Sequence, residues 1–75
     1  MRIAILGGCG FIGSNLAIFL KKKISKIKIL SVDNLSRKGS SINQKRLKLL
    51  NIRNIKKDIS KIDTLKRIGK IDLYI

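Results

Sequence analysis

Gly7-Gly8-Cys9-Gly10-Phe11-Ile12-Gly13 decides how this chain of 75 residues folds. It stands between an apolar run, Ile3-Ala4-Ile5-Leu6, and an amphipathic run from Ser14 to Leu20. Glycine has no Cβ and reaches positive φ, so the turn can be sharp and a phosphate can come up against bare main chain. The helix that follows opens with amides that have no internal partner and carry the positive end of its dipole. A diphosphate is accommodated there without a charged side chain. Gly7 then serves the turn, Gly10 the approach of backbone to diphosphate, and Gly13 the packing of the helix, with the Phe11 and Ile12 amides as donors.

Working outward, Ile3 to Leu6 suits a strand buried on both faces, as in a parallel sheet covered by helices. From Phe11 the period becomes helical, with Ile12, Leu16, Phe19 and Leu20 at helix spacing. Gly13 and Ala17 form a small-residue strip that lets the helix lie close to a sheet. Lys21, Lys22 and Lys23 fall at its expected end, where cations complement the dipole. Ile27 to Val32 reads as a second strand ending at Asp33, and Asn34 to Ser40 as a polar loop. Ser41 with Gln44 has the form of a capping box and predicts a short helix through about Leu50. Asn51 to Ile59 predicts a weaker third strand, Ile62 to Ile68 a short helix, and Ile71 to Ile75 the start of a fourth strand.

That order is the N-terminal half of a doubly wound, Rossmann-like α/β fold, a parallel sheet of order 3-2-1-4 truncated at its fourth strand. Right-handed crossovers place the first two helices on one face. A single short helix is left for the other face, so much of the intended core is expected to be missing. A chain of this size buries only about 60% of its unfolded surface, and marginal stability is expected.

The net charge is +14. Alone, that suggests nucleic acid, an anionic membrane surface or an acidic partner. The lysines are scattered among isoleucines and asparagines with no basic tail, which favours a solvated surface over a nucleic-acid face. Stacking aromatics are few, namely Phe11, Phe19 and Tyr74. A single cysteine excludes an internal disulfide, and four apolar residues before the glycines do not make a signal peptide, so a cytoplasmic protein is expected. No apolar run is long enough for a membrane span. Histidine is absent and no Cys/His spacing suits a metal.

A glycine triplet is weak evidence alone. Here it follows a strand, opens a helix, and is followed by an acidic residue at the end of the next strand, with Asp33 twenty positions beyond Gly13. This conjunction points to a dinucleotide, with Asp33 accepting hydrogen bonds from the adenine ribose hydroxyls. The glycine spacing and the run Leu6 to Leu16 resemble the NAD-dependent epimerase/dehydratase family, the extended short-chain dehydrogenase/reductases. Leu6 stands where threonine is usual. Asp33-Asn34-Leu35-Ser36-Arg37-Lys38-Gly39 is similar to the second βα loop of its sugar-nucleotide epimerases. Asp58-Ile59 resembles the pair after the third strand that contacts adenine.

The resemblance implies that Asp33 and Asn34 hold the ribose, that Ser36, Arg37 and Lys38 line the adenosine side, and that Asp58 faces the adenine amine. It implies NAD as cofactor, since Asp33 repels a 2′-phosphate, with NADP the lesser choice that Arg37 and Lys38 leave open. The family's chemistry rests on a downstream serine or threonine and a Tyr-x-x-x-Lys pair. Tyr74 is the only tyrosine and is expected to pack in the core. The expectation is therefore an NAD-binding fragment without catalytic residues of its own, with the remainder of a longer enzyme as its partner. The alternatives are an inactive gene remnant and a small basic module for nucleic acid or another polyanion. Cys9 is expected to be a small loop-filling residue.

Overall fold

The strand Arg2–Leu6, β1, is the hub of the computed structural model, which describes residues 1–24, 26–58 and 69–75. It is flanked by β2, Lys28–Val32, and β4, Leu73–Tyr74, while β3, Arg53–Ile55, lies outside β2. All pairings are parallel and the order is β3-β2-β1-β4. The register sets Ile3 beside Ile29 and Ile5 beside Ser31 on one face, and Ala4 beside Leu30 and Leu6 beside Val32 on the other. Side chains alternate across a strand, so one apolar run supplies both faces.

The first face carries the larger core. Ile3, Ile5, Ile27 and Ile29 pack with Ala17 from α1, Phe11–Lys23, with Leu47 from α2, Ser40–Lys48, and with Cys9 and Ile52. Ala17 is fully buried, so the small-residue strip does bring α1 down onto the sheet. The outer helix positions differ from expectation. Ile12 is 80% and Phe19 57% exposed, because contact is made through Ser14 and Ala17, with Leu16 and Leu20 only half buried.

On the second face Ala4 and Val32 are buried, with Leu6, Leu30, Ile55 and Ile71 packed against them. Tyr74 is 42% exposed instead of forming core. It sits on an edge strand that pairs with β1 through Ile3 and Ala4. Arg2 ties this edge down, its backbone N–H donating to Asp72 Oδ2 at 2.7 Å and its guanidinium to the Lys70 carbonyl at 3.0 Å.

The capping box does not form. Gly39, in the left-handed region at φ 86°, is the residue from which α2 springs, and no side chain caps it. A left-handed residue suits glycine, and the turn it makes starts the helix earlier than the capping signal predicts, leaving Ser41 exposed within the first turn. The third strand is shorter than its sequence signal, three residues within 51–59. The helix expected over Ile62 to Ile68 lies outside the described residues.

Candidate functional site

Between β1 and α1 the chain turns on its own backbone. Gly7 has φ 75°, its N–H donates to the Val32 carbonyl at 2.8 Å, and the Gly10 N–H donates back to the Gly7 carbonyl at 3.0 Å. The first helical bond is Ser14 N–H to the Gly10 carbonyl at 2.9 Å. The amides of Phe11, Ile12 and Gly13 precede it and open the helix. A Cβ at Gly13 would overlap the Gly7 carbonyl oxygen and lie 3.0 Å from both Gly7 C and Gly8 Cα. α1 therefore rests directly on the turn.

Asp33 follows β2 and is buried. Its Oδ2 accepts the Cys9 N–H at 3.1 Å and its Oδ1 accepts the Leu35 N–H at 2.8 Å. One carboxylate thus links the glycine turn to the loop after β2. That loop is shaped by a second local bond, Ser36 N–H to Asn34 Oδ1 at 3.1 Å, and Leu35 sits at φ 61° between the two. Aspartate and asparagine form such turns because the side-chain oxygen reaches the amide two residues on.

Beneath the turn runs a polar relay of buried Ser31 and half-buried Asn54. Asn54 Nδ2 donates to the Asp33 carbonyl at 3.2 Å, which presents Asn54 Oδ1 to the Ser31 hydroxyl at 2.7 Å. Ser31 spends its one proton on that oxygen, so the contact of 3.6 Å between Cys9 Sγ and Ser31 Oγ has the thiol as donor. Burial pushes the Cys9 thiol above its ordinary range and the Asp33 carboxylate adds to it; only a Ser31 hydroxyl turned away from Asn54 to donate to the thiolate would offset part of this. Cys9 is fully buried, with its free thiol packed in the turn.

A cleft of about 650 Å³ opens above the turn. Gly7, Gly10, Phe11, Ile12, Gly13, Asp33, Asn34, Ser36 and Arg37 line it together with Leu16, Lys57 and Ile75. Lys38 and Asp58 are exposed and not among the lining residues. Ile59 lies outside the described residues. Arg37 and Lys57 bring positive charge to the cleft, and Asp33 a carboxylate. Phe11 and Ile12 hold large apolar side chains at its rim, 79% and 80% exposed.

Ser31, Asn54 and Asn43 were not expected in the site. A serine between Leu30 and Val32 and an asparagine between Arg53 and Ile55 are polar interruptions of strands, a signal that could have been used. Asn43 gives no such signal; its Nδ2 donates to the Cys9 carbonyl at 2.9 Å from α2. Among the described residues, no group of three metal-binding side chains occurs, and no helix is long and apolar enough to cross a membrane.

This geometry recurs in known proteins. The profile of the NAD dependent epimerase/dehydratase family matches residues 3–74. The chain is 51% identical over 43 residues, 57% of its length, to the CDP-paratose 2-epimerase of Salmonella typhi. It is 43% identical over 79 aligned residues, 99% of its length, to the dTDP-D-glucose 4,6-dehydratase of Dictyostelium discoideum. These matches span 12% and 18% of the two relatives. A variant UDP-glucuronic acid 4-epimerase from Bacillus cereus, solved with UDP-4-deoxy-4-fluoro-glucuronic acid and NAD, superposes with a TM-score of 0.82 at 29% identity, over 99% of this chain and 25% of that one. With its parallel 3-2-1-4 sheet and its glycine turn, the chain belongs to the NAD-dependent epimerase/dehydratase family.

Proposed function

We propose that the cleft binds the adenosine diphosphate half of NAD, and that residues 1–75 form part of an NAD-binding domain at the N-terminal end of a sugar-nucleotide epimerase/dehydratase-like protein. One observation carries this reading. The Asp33 carboxylate is held by the Cys9 amide of the same turn whose continuation presents the Phe11, Ile12 and Gly13 amides to the cleft. Phosphate donors and a ribose acceptor are thereby fixed relative to one another. A carboxylate has about four lone-pair sites, and two are used by Cys9 and Leu35, so capacity remains for two ribose hydroxyls.

Bound NAD supplies a hydride acceptor; the residues of this chain orient it. Gly7 and Gly10 leave room for the diphosphate, the helix amides bind its oxygens, and Asp33 holds the ribose. Asn34 joins Asp33 at the ribose, and Ser36, Arg37 and Lys38 are assigned to the adenosine side on family resemblance. Asp58 and Ile59 are assigned to the adenine end on family resemblance. A 2′-phosphate beside Asp33 is repelled, which favours NAD over NADP.

Calorimetric titration of NAD into the chain tests this. Saturable binding that Asp33→Ala weakens, and that beats NADP, is the expected result; no binding by a folded chain removes the reading. Binding of DNA with a steep salt slope, indifferent to Asp33→Ala, supports a polyanion-binding module instead.

A further inference from the structure

We propose that Asn43 is a positioning residue for the diphosphate turn, acting from α2 through the Cys9 carbonyl. This rests on the dinucleotide reading above. The Cys9 residue is gripped at both ends by side chains: Asp33 accepts its N–H at 3.1 Å and Asn43 Nδ2 donates to its C=O at 2.9 Å. The peptide that follows belongs to Gly10, the residue from which α1 begins. The N–H of that peptide is held by the Gly7 carbonyl and its C=O by Asn43; rotation of the peptide redirects the donors of the helix start, so the Asn43 bond adds a second hold on the phosphate cradle.

Asn43 is suited to the task because its amide has a fixed sense. Arg46 Nη1 donates to Asn43 Oδ1 at 3.0 Å, which leaves Nδ2 to face the turn. The same guanidinium reaches Asn15 Oδ1 of α1 at 3.5 Å, so the clamp joins both helices. α2 itself is anchored by Leu47 and Ser40, both buried, and Asn43 therefore brings the position of a packed helix to bear on the turn. Asp33 ties the loop after β2 to the turn, and Asn43 ties α2 to it.

The test compares the wild-type chain with Asn43→Leu, similar in size but unable to donate, and with Arg46→Met, which frees the amide without touching Cys9. ADP and adenosine are titrated separately. The clamp predicts that Asn43→Leu weakens ADP by roughly three- to tenfold, the worth of one hydrogen bond, and adenosine by less than about twofold. Arg46→Met shows the same split, smaller. Equal losses for both ligands, or none for ADP, overturn the proposal. Amide hydrogen exchange without nucleotide gives an independent readout. Faster exchange at Cys9 and Gly10, with β1 and β2 amides unchanged, is expected for Asn43→Leu, and unchanged protection at Cys9 and Gly10 overturns the clamp. Failure of the wild-type chain to bind ADP counts against the dinucleotide reading, and the exchange data still decide the clamp. If Asn43→Leu loses protection throughout β1, the comparison passes to Arg46→Met, judged by the same criteria.

Discussion

Gly13→Ala sets two effects of opposite sign against each other. Alanine in a helix is favoured over glycine by up to about 1 kcal/mol, so propensity alone predicts a more stable chain. The added Cβ, however, overlaps the Gly7 carbonyl and lies 3.0 Å from Gly7 C and Gly8 Cα, all main-chain atoms. None of them can change rotamer, and the turn is fixed by the bond from Gly7 N–H to Val32. Overpacking of this kind costs about 1–3 kcal/mol, so the net loss is on the order of 1–2 kcal/mol. For a chain this short that is a fall in Tm of roughly 5–15 °C. Thermal and urea melts followed by far-UV circular dichroism measure it. Gly39→Asn is the control, since Gly39 has φ 86°, a Cβ there would meet nothing within 4 Å, and asparagine tolerates the left-handed region. It should melt close to wild type. A Gly13→Ala chain as stable as wild type, or more so, refutes the close approach of α1 to the turn.

Asp33→Ala leaves the Cys9 and Leu35 amides without their acceptor and should cost on the order of 2–3 kcal/mol, read from urea midpoints, besides weakening NAD; unchanged stability contradicts the bridging role. Ser31→Ala orphans Asn54 Oδ1 and the Cys9 thiol and should cost about 1–2 kcal/mol, whereas Asn54→Ser, which keeps a hydroxyl near Ser31, should cost less. Because burial raises the Cys9 thiol above its unfolded value, the unfolded chain ionises first as pH rises. That contribution to stability is complete below the ordinary thiol pKa of about 8.5 and is lost above it, a decline that Cys9→Ala should lack when midpoints at neutral and alkaline pH are compared. The same burial should make Cys9 much slower to react with a thiol reagent in the native chain than in urea; equal rates contradict it.

The central half of this fold was legible because its signals are local. A glycine turn between an apolar run and a helical period leaves few alternatives, and Asp33 at the end of the next strand ties that turn to a second βα unit. Right-handed crossovers between parallel strands then set the order of the sheet. What escaped is tertiary in origin. Gly39 started α2 through a left-handed turn, which competed with the Ser41 capping signal and won. Ile12 and Phe19 keep helical spacing without facing the core, because the small residues Ser14 and Ala17 make the close contact. Asn43 is an ordinary-looking polar residue far from the glycines in sequence, and only the packing of α2 brings its amide to the turn.

Whether a diphosphate rests on the glycine turn can be followed residue by residue, by nuclear magnetic resonance of the ¹⁵N-labelled chain during titration with NAD. Saturable shifts are predicted in the amides of Gly7, Gly10, Phe11, Ile12, Gly13 and Asp33, with Phe11 and Ile12 moving most because they donate to the diphosphate, and with loss of that pattern in Asp33→Ala. Shifts confined to lysine-rich segments such as Lys21 to Lys23, or none at the turn in a folded chain, would contradict it.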